Sequence, residues 1–141
     1  MTTSQSSVIL FTSTKRRQFI YIPQTGTGYG FLVNAEDNTL RTLQTLVDGL
    51  IECVYSKEYE CDVWVNEEGL YREDFEVNMV ASRISNRVLV GPAVLANSNS
   101  EGATTGMKPE QMIVLQIDGL YIDDNNGAGW SLPELSELVL A

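Results

Sequence analysis

At 141 residues with 43% hydrophobic side chains, the chain is sized for one domain that buries a core without disulfide or metal staples. Histidine is absent and cysteine occurs twice, which excludes Ser-His-Asp and Cys-His arrangements and four-cysteine zinc sites within one chain. The net charge of −10 argues against a direct grip on nucleic acid, which calls for a basic stripe, and no apolar run approaches the roughly 20 residues of a membrane-spanning helix.

The charge is unevenly placed. Residues 1–33 carry Lys15, Arg16 and Arg17 without an acid, whereas residues 34–76 hold twelve acids against three bases. Such a field suits solubility, a basic partner protein, or mimicry of a polyanion. The opening MTTSQSSVILF has no charged region before its apolar run, so it does not read as a secretory signal and a cytoplasmic protein is expected.

In chain order, Val8 to Phe11 and Gln18 to Ile22 read as short strands around the charged turn STKRR. The glycine-rich loop TGTGYG, residues 25–30, leads into a third strand at Phe31 to Val33. A dinucleotide fingerprint needs a helix directly after the glycines, so a hairpin loop is the better reading, with Tyr29 a stacking surface for any ligand it covers. Asp37 or Asn38 then caps a helix over residues 39–48 whose Leu40, Leu43, Leu46 and Val47 form one buried stripe, with Gly49 as its left-handed end.

Leu50 to Tyr55 and Cys61 to Asn66 alternate as strands, Cys61, Val63 and Val65 on one face and Asp62, Trp64 and Asn66 on the other. A symmetric hairpin centred on Lys57 sets Cys53 opposite Cys61 and Glu52 opposite Asp62. Like charges directly opposite are destabilising, so a register shifted by two is expected. Asn66 to Gly69 is a glycine-closed turn, Leu70 to Phe75 continues the hairpin, and Met79 to Ile84 forms a short helix.

Arg87 to Ala96 is β-rich and broken at Gly91-Pro92. Residues 97–108 have the composition of a flexible linker to an extension over 109–141. Within that extension Lys108-Pro109-Glu110-Gln111 suits a helix start, while Met112 to Ile117 alternates like a strand. Ser131 with Glu134 forms a capping box for a last helix bearing Leu135, Leu138 and Val139.

No residue pattern marks a catalytic group, a metal site or a cofactor. Asp62 or Glu67 are the side chains on which a carboxylate-dependent hydrolase would rest. Arg16, Arg17, Arg83 and Arg87 with Tyr29 and Trp64 would hold a small nucleotide, forks on phosphate and rings on a base, if the fold made them converge. A homo-oligomer with that pocket at a subunit interface is one expected arrangement.

Leu43-Gln44-Thr45-Leu46-Val47-Asp48-Gly49-Leu50-Ile51-Glu52 resembles the LQ-x-LVGGYIE signature of the domain-of-unknown-function 3846 family, small proteins of phages and mobile elements. Val63-x-Val65-Asn66-Glu67-Glu68-Gly69, Asn78-x-x-Ala81 and Val90-Gly91-Pro92-Ala93-Val94-Leu95 resemble three further motifs in order, so residues 18–96 form a family-like core. Asp48 stands where the family usually has glycine. The resemblance implies a phage or mobile-element origin and a setting in the host-cell cytoplasm, with no known catalytic residue. The expectation is a single α+β domain, a bent antiparallel sheet or partial barrel with the 39–48 helix packed across it and a C-terminal helix. The expected role is non-enzymatic binding of a host component, interfering with host defence. The alternatives are nucleotide sequestration, an acidic mimic of DNA docking on a basic host protein, and the hydrolase.

Overall fold

The computed structural model of the protein describes residues 17–25 and 28–139. Its elements are β1 (Gln18–Ile22), β2 (Tyr29–Asn34), α1 (Thr39–Val47), β3 (Ile51–Ser56), β4 (Cys61–Asn66), α2 (Met79–Ser85), β5 (Ala93–Ser98), β6 (Thr104–Thr105), α3 (Pro109–Ile117), β7 (Tyr121–Asp123) and α4 (Leu132–Val139). The strands form one open sheet in the order β3-β4-β5-β1-β2-β7, with the short β6 against β5. Every pairing is antiparallel except β2–β7, which run parallel at one edge. The molecule is an α+β domain.

Burial on both faces explains the sequence of the central strand. In β1, Phe19 and Tyr21 face a cluster with Leu43, Leu46 and Val47 of α1 and Leu135 of α4. Ile20 and Ile22 face the opposite cluster, with Ala81 and Ile84 of α2 and Met112 and Leu115 of α3. A strand covered on both sides loses the polar half of its alternation, and QFIYI is buried throughout. Two pairs of helices therefore flank the sheet, α1 and α4 on one face and α2 and α3 on the other.

Local chemistry sets the helix ends. Asn38 caps α1 by accepting from the Arg41 N–H at 3.1 Å. The left-handed position at its C-terminus is Asp48, with φ 61°, and not the expected Gly49. Leu40, expected on the buried stripe, is 53% exposed in the first turn, and Thr42 is buried in its stead. Residues 109–117 resolve as helix because Pro109 fits the first turn and Gln111 accepts from the Lys108 N–H at 2.8 Å. Ser131 and Glu134 make the reciprocal bonds of a capping box.

The β3–β4 register departs from expectation by an odd step. Ser56 pairs with Cys61, Cys53 with Trp64 and Glu52 with Val65, a shift of three from the symmetric hairpin. The cause is a four-residue loop, 57–60, with Glu60 left-handed and Tyr59 turned into the core. Ser56 Oγ accepts from the Tyr59 N–H at 3.2 Å and donates to the Ile84 carbonyl at 2.7 Å, which fixes the loop against α2. Leu70 does not extend a hairpin: residues 69–71 form a 3-10 turn. Residues 97–108 contain the end of β5 and all of β6, with Asn97 hydrogen-bonded to Gln111 and to the Gly106 carbonyl. The expected strand at Val8 to Phe11 lies outside the described residues.

Candidate interaction surface

Within the chain, the described arginines and rings of the expected pocket do not converge. Arg17 bonds Thr39 and donates to the Glu36 carbonyl at 2.7 Å, holding the entry to α1. Tyr29 stacks on Tyr121 at the β2–β7 edge with ring centroids 4.7 Å apart. Trp64 packs partly buried with the α1 cluster, and its indole N–H has no hydrogen-bond partner among the described residues. Arg83 lines a cleft between α2 and α3, whereas Arg87 lies by a separate groove near the end of β4. Arg16 lies outside the described residues.

The candidate hydrolase carboxylates are also apart. Asp62 is the second residue of β4 and Glu67 follows its last, about 16 Å further along at strand spacing. Asp62 is buried and raises the pKa of neighbouring Cys53, which partial desolvation in the first place, then this carboxylate, pushes up to about 11. A thiol held that high is a poor nucleophile at neutral pH. No three His, Cys, Asp or Glu side chains among the described residues converge as metal ligands.

A different surface emerges beyond β4. Buried Asn66 donates to the Val47 and Asp48 carbonyls at 3.1 and 3.0 Å and accepts from the Glu68 N–H at 2.8 Å. That bracket ties the end of α1 to the turn after β4. Arg72 closes the same corner from the other side, reaching Asp48 at 2.9 Å and Asp74 at 2.7 Å while lying 4.1 Å over the Phe75 ring. Hydrogen bonds donated to Asp74 first, then to Asp48, raise the Arg72 pKa, and the bond from Arg72 lowers that of Asp74.

With the polar groups committed to backbone and to each other, the apolar residues of the turn point outward. Leu70 is 81% exposed and Tyr71 is 87% exposed. Leu70 and Val88 line a groove of about 120 Å³ together with Glu52, Glu67 and Arg87. Leu50, also exposed, adjoins it, its carbonyl accepting from the Glu67 N–H at 2.8 Å. Large apolar side chains displayed among carboxylates make this corner a candidate docking surface. The available sequence signal was the pair Leu70-Tyr71 inside the acid-rich stretch from Glu67 to Glu76, which reading it as a strand obscured.

No helix among the described residues is long and apolar enough to cross a membrane. Neither characterised proteins nor solved structures yield a match to the chain. The family model described as Domain of unknown function (DUF3846) matches residues 19–121, reaching past Ala96 through α3 into β7. That match spans well over half of the chain, and within it the Asn66 side chain donates to the Val47 and Asp48 carbonyls and that of Asn78 to the Ile22 and Gly91 carbonyls. The chain belongs to the DUF3846 family.

Proposed function

We propose that the protein is a non-enzymatic accessory protein of a phage or mobile element that docks on a basic host protein and obstructs its role in host defence. The observation that carries this reading is the Leu70–Tyr71 turn, exposed on a rigid corner within the most acidic stretch of the chain. Exposed aromatic and aliphatic anchors supply affinity, and surrounding carboxylates select a positively charged partner and accelerate encounter. The phage setting and host target rest on the motif resemblance.

The test is affinity capture from a host lysate with the wild-type chain and with a Leu70→Ser/Tyr71→Ser double variant. Both substituted positions are exposed, so the variant should unfold within about 0.5 kcal/mol of the parent. The expected result is a basic protein retained at about 50 mM salt, depleted at about 500 mM, and lost with the double variant. Retention that ignores both salt and the substitutions overturns the reading.

A further inference from the structure

A second feature lies away from this surface, where α2 and α3 part over the sheet. Between them opens a cleft of about 400 Å³, within the range of small-molecule sites. Val80, Ile84, Leu115 and Leu120 make its apolar lining, and Met79, 66% exposed, stands at its mouth. Its polar groups are Tyr59, Asp118 and Arg83, and they are joined to one another. The Tyr59 hydroxyl donates to Asp118 Oδ2 at 2.7 Å, and Arg83 Nη2 donates to the Asp118 carbonyl at 3.0 Å.

Arg72 and Arg83 are used in opposite ways. Arg72 spends its fork on two carboxylates. Arg83 is anchored by a neutral carbonyl and forms no ion pair with a described carboxylate, leaving most of its five N–H donors without an acceptor among the described residues. That bond draws the guanidinium to the Asp118 end of the cleft while its charge stays available to an anion. Asp118 limits how much negative charge fits: one anionic group can sit on Arg83, but a polyphosphate would be driven against the Asp118 carboxylate.

We infer that the α2–α3 cleft binds a small molecule with an apolar body and a single anionic head, its head on Arg83 and its body over Val80, Ile84, Leu115 and Leu120. A medium-chain carboxylate has this chemistry, since a carboxylate pairs with guanidinium through two parallel hydrogen bonds.

Octanoate, octanol and adenosine monophosphate serve as probes, titrated into the full chain and followed by calorimetry and amide chemical shifts. Octanoate should bind with shifts at Val80, Arg83 and Leu115, and octanol at least tenfold more weakly. Arg83→Gln should weaken octanoate about 10- to 100-fold, the worth of a hydrogen bond to a charged group. Met79→Asp, which suits the first turn of α2, should also weaken it by placing a like charge at the mouth. Arg41→Gln, on α1 across the sheet, should change nothing. Equal binding of octanoate and octanol, an unaffected Arg83→Gln, tighter binding of the nucleotide, or no octanoate binding at about 10 mM each overturns the inference.

Discussion

The corner around Arg72 and the cleft around Arg83 present two solutions to placing a charge on this fold. At the corner, Arg72 is neutralised by Asp48 and Asp74 and shapes the chain so that Leu70 and Tyr71 are displayed. In the cleft, Arg83 is positioned by a carbonyl and its charge faces an apolar hollow. The lesson is that the number of arginines says little about binding; what matters is whether the fold has already supplied each one with an anion. An exposed ion pair contributes little to stability, so the corner owes its shape mainly to Asn66 and to the packing around Gly91.

Asn78 links the two regions, and its loss should dissolve the distinction. Fully buried, it donates to the Ile22 and Gly91 carbonyls at 3.1 and 2.8 Å and caps α2 by accepting from the Ala81 N–H at 3.0 Å. Asn78→Ala leaves these groups without partners and should cost about 3–5 kcal/mol, read as a fall in the urea midpoint. Gly91→Ala should act on the corner more than on the cleft. Gly91 has φ +79°, and an added Cβ would meet the Phe75 ring at 2.6 Å, directly beneath Arg72. A cost of about 2–4 kcal/mol is expected, with Leu70 and Tyr71 amide shifts moving more than those of Leu115.

The cleft has its own signature in alkali. Burial first, then the hydrogen bond and charge of Asp118, raise Tyr59 from 10.0 to about 12. The folded chain thus keeps a proton that the unfolded chain releases, so this stabilisation is present below pH 10 and is lost between pH 10 and 12. Buried Cys61, raised from 9.0 to about 12 by desolvation chiefly and then by Asp62 and Cys53, adds a loss beginning near pH 9. Urea midpoints measured from pH 8 to 11 should fall, and Tyr59→Phe should make the fall above pH 10 shallower, with Cys61 and Tyr21 supplying the rest. The smallest change is expected at the end of α1. Asp48→Gly relieves a left-handed non-glycine residue while removing one partner of Arg72, and should raise stability by about 0.5–1 kcal/mol. A loss of stability there would mean that the Arg72 pairing governs the corner after all.

Much of the fold was legible in the residues because local signals act over a few positions. Asn38 at the start of α1, the Ser131–Glu134 box, the alternation of Cys61 to Asn66 and the short helix from Met79 each depend on near neighbours, and each appears in place. What sat outside that reach concerned partners distant along the chain. Tyr59 turns inward to meet Asp118, 59 residues later, and this lengthens the 57–60 loop and moves the β3–β4 register by three. Leu70 and Tyr71 share the apolar character of core residues, and only the bracket from Asn66 to the end of α1 turns them outward.

The amino-acid order thus dictated where α1, β4, α2 and α4 start, since caps and periodicity are satisfied within a turn or two of chain. Which arginine is paired, which carboxylates stand apart and which apolar residues face water were settled by packing on both faces of the sheet. Those outcomes depend on side chains brought together from opposite ends of the sequence, and a charge or ring has no fixed role until its neighbours in space are known.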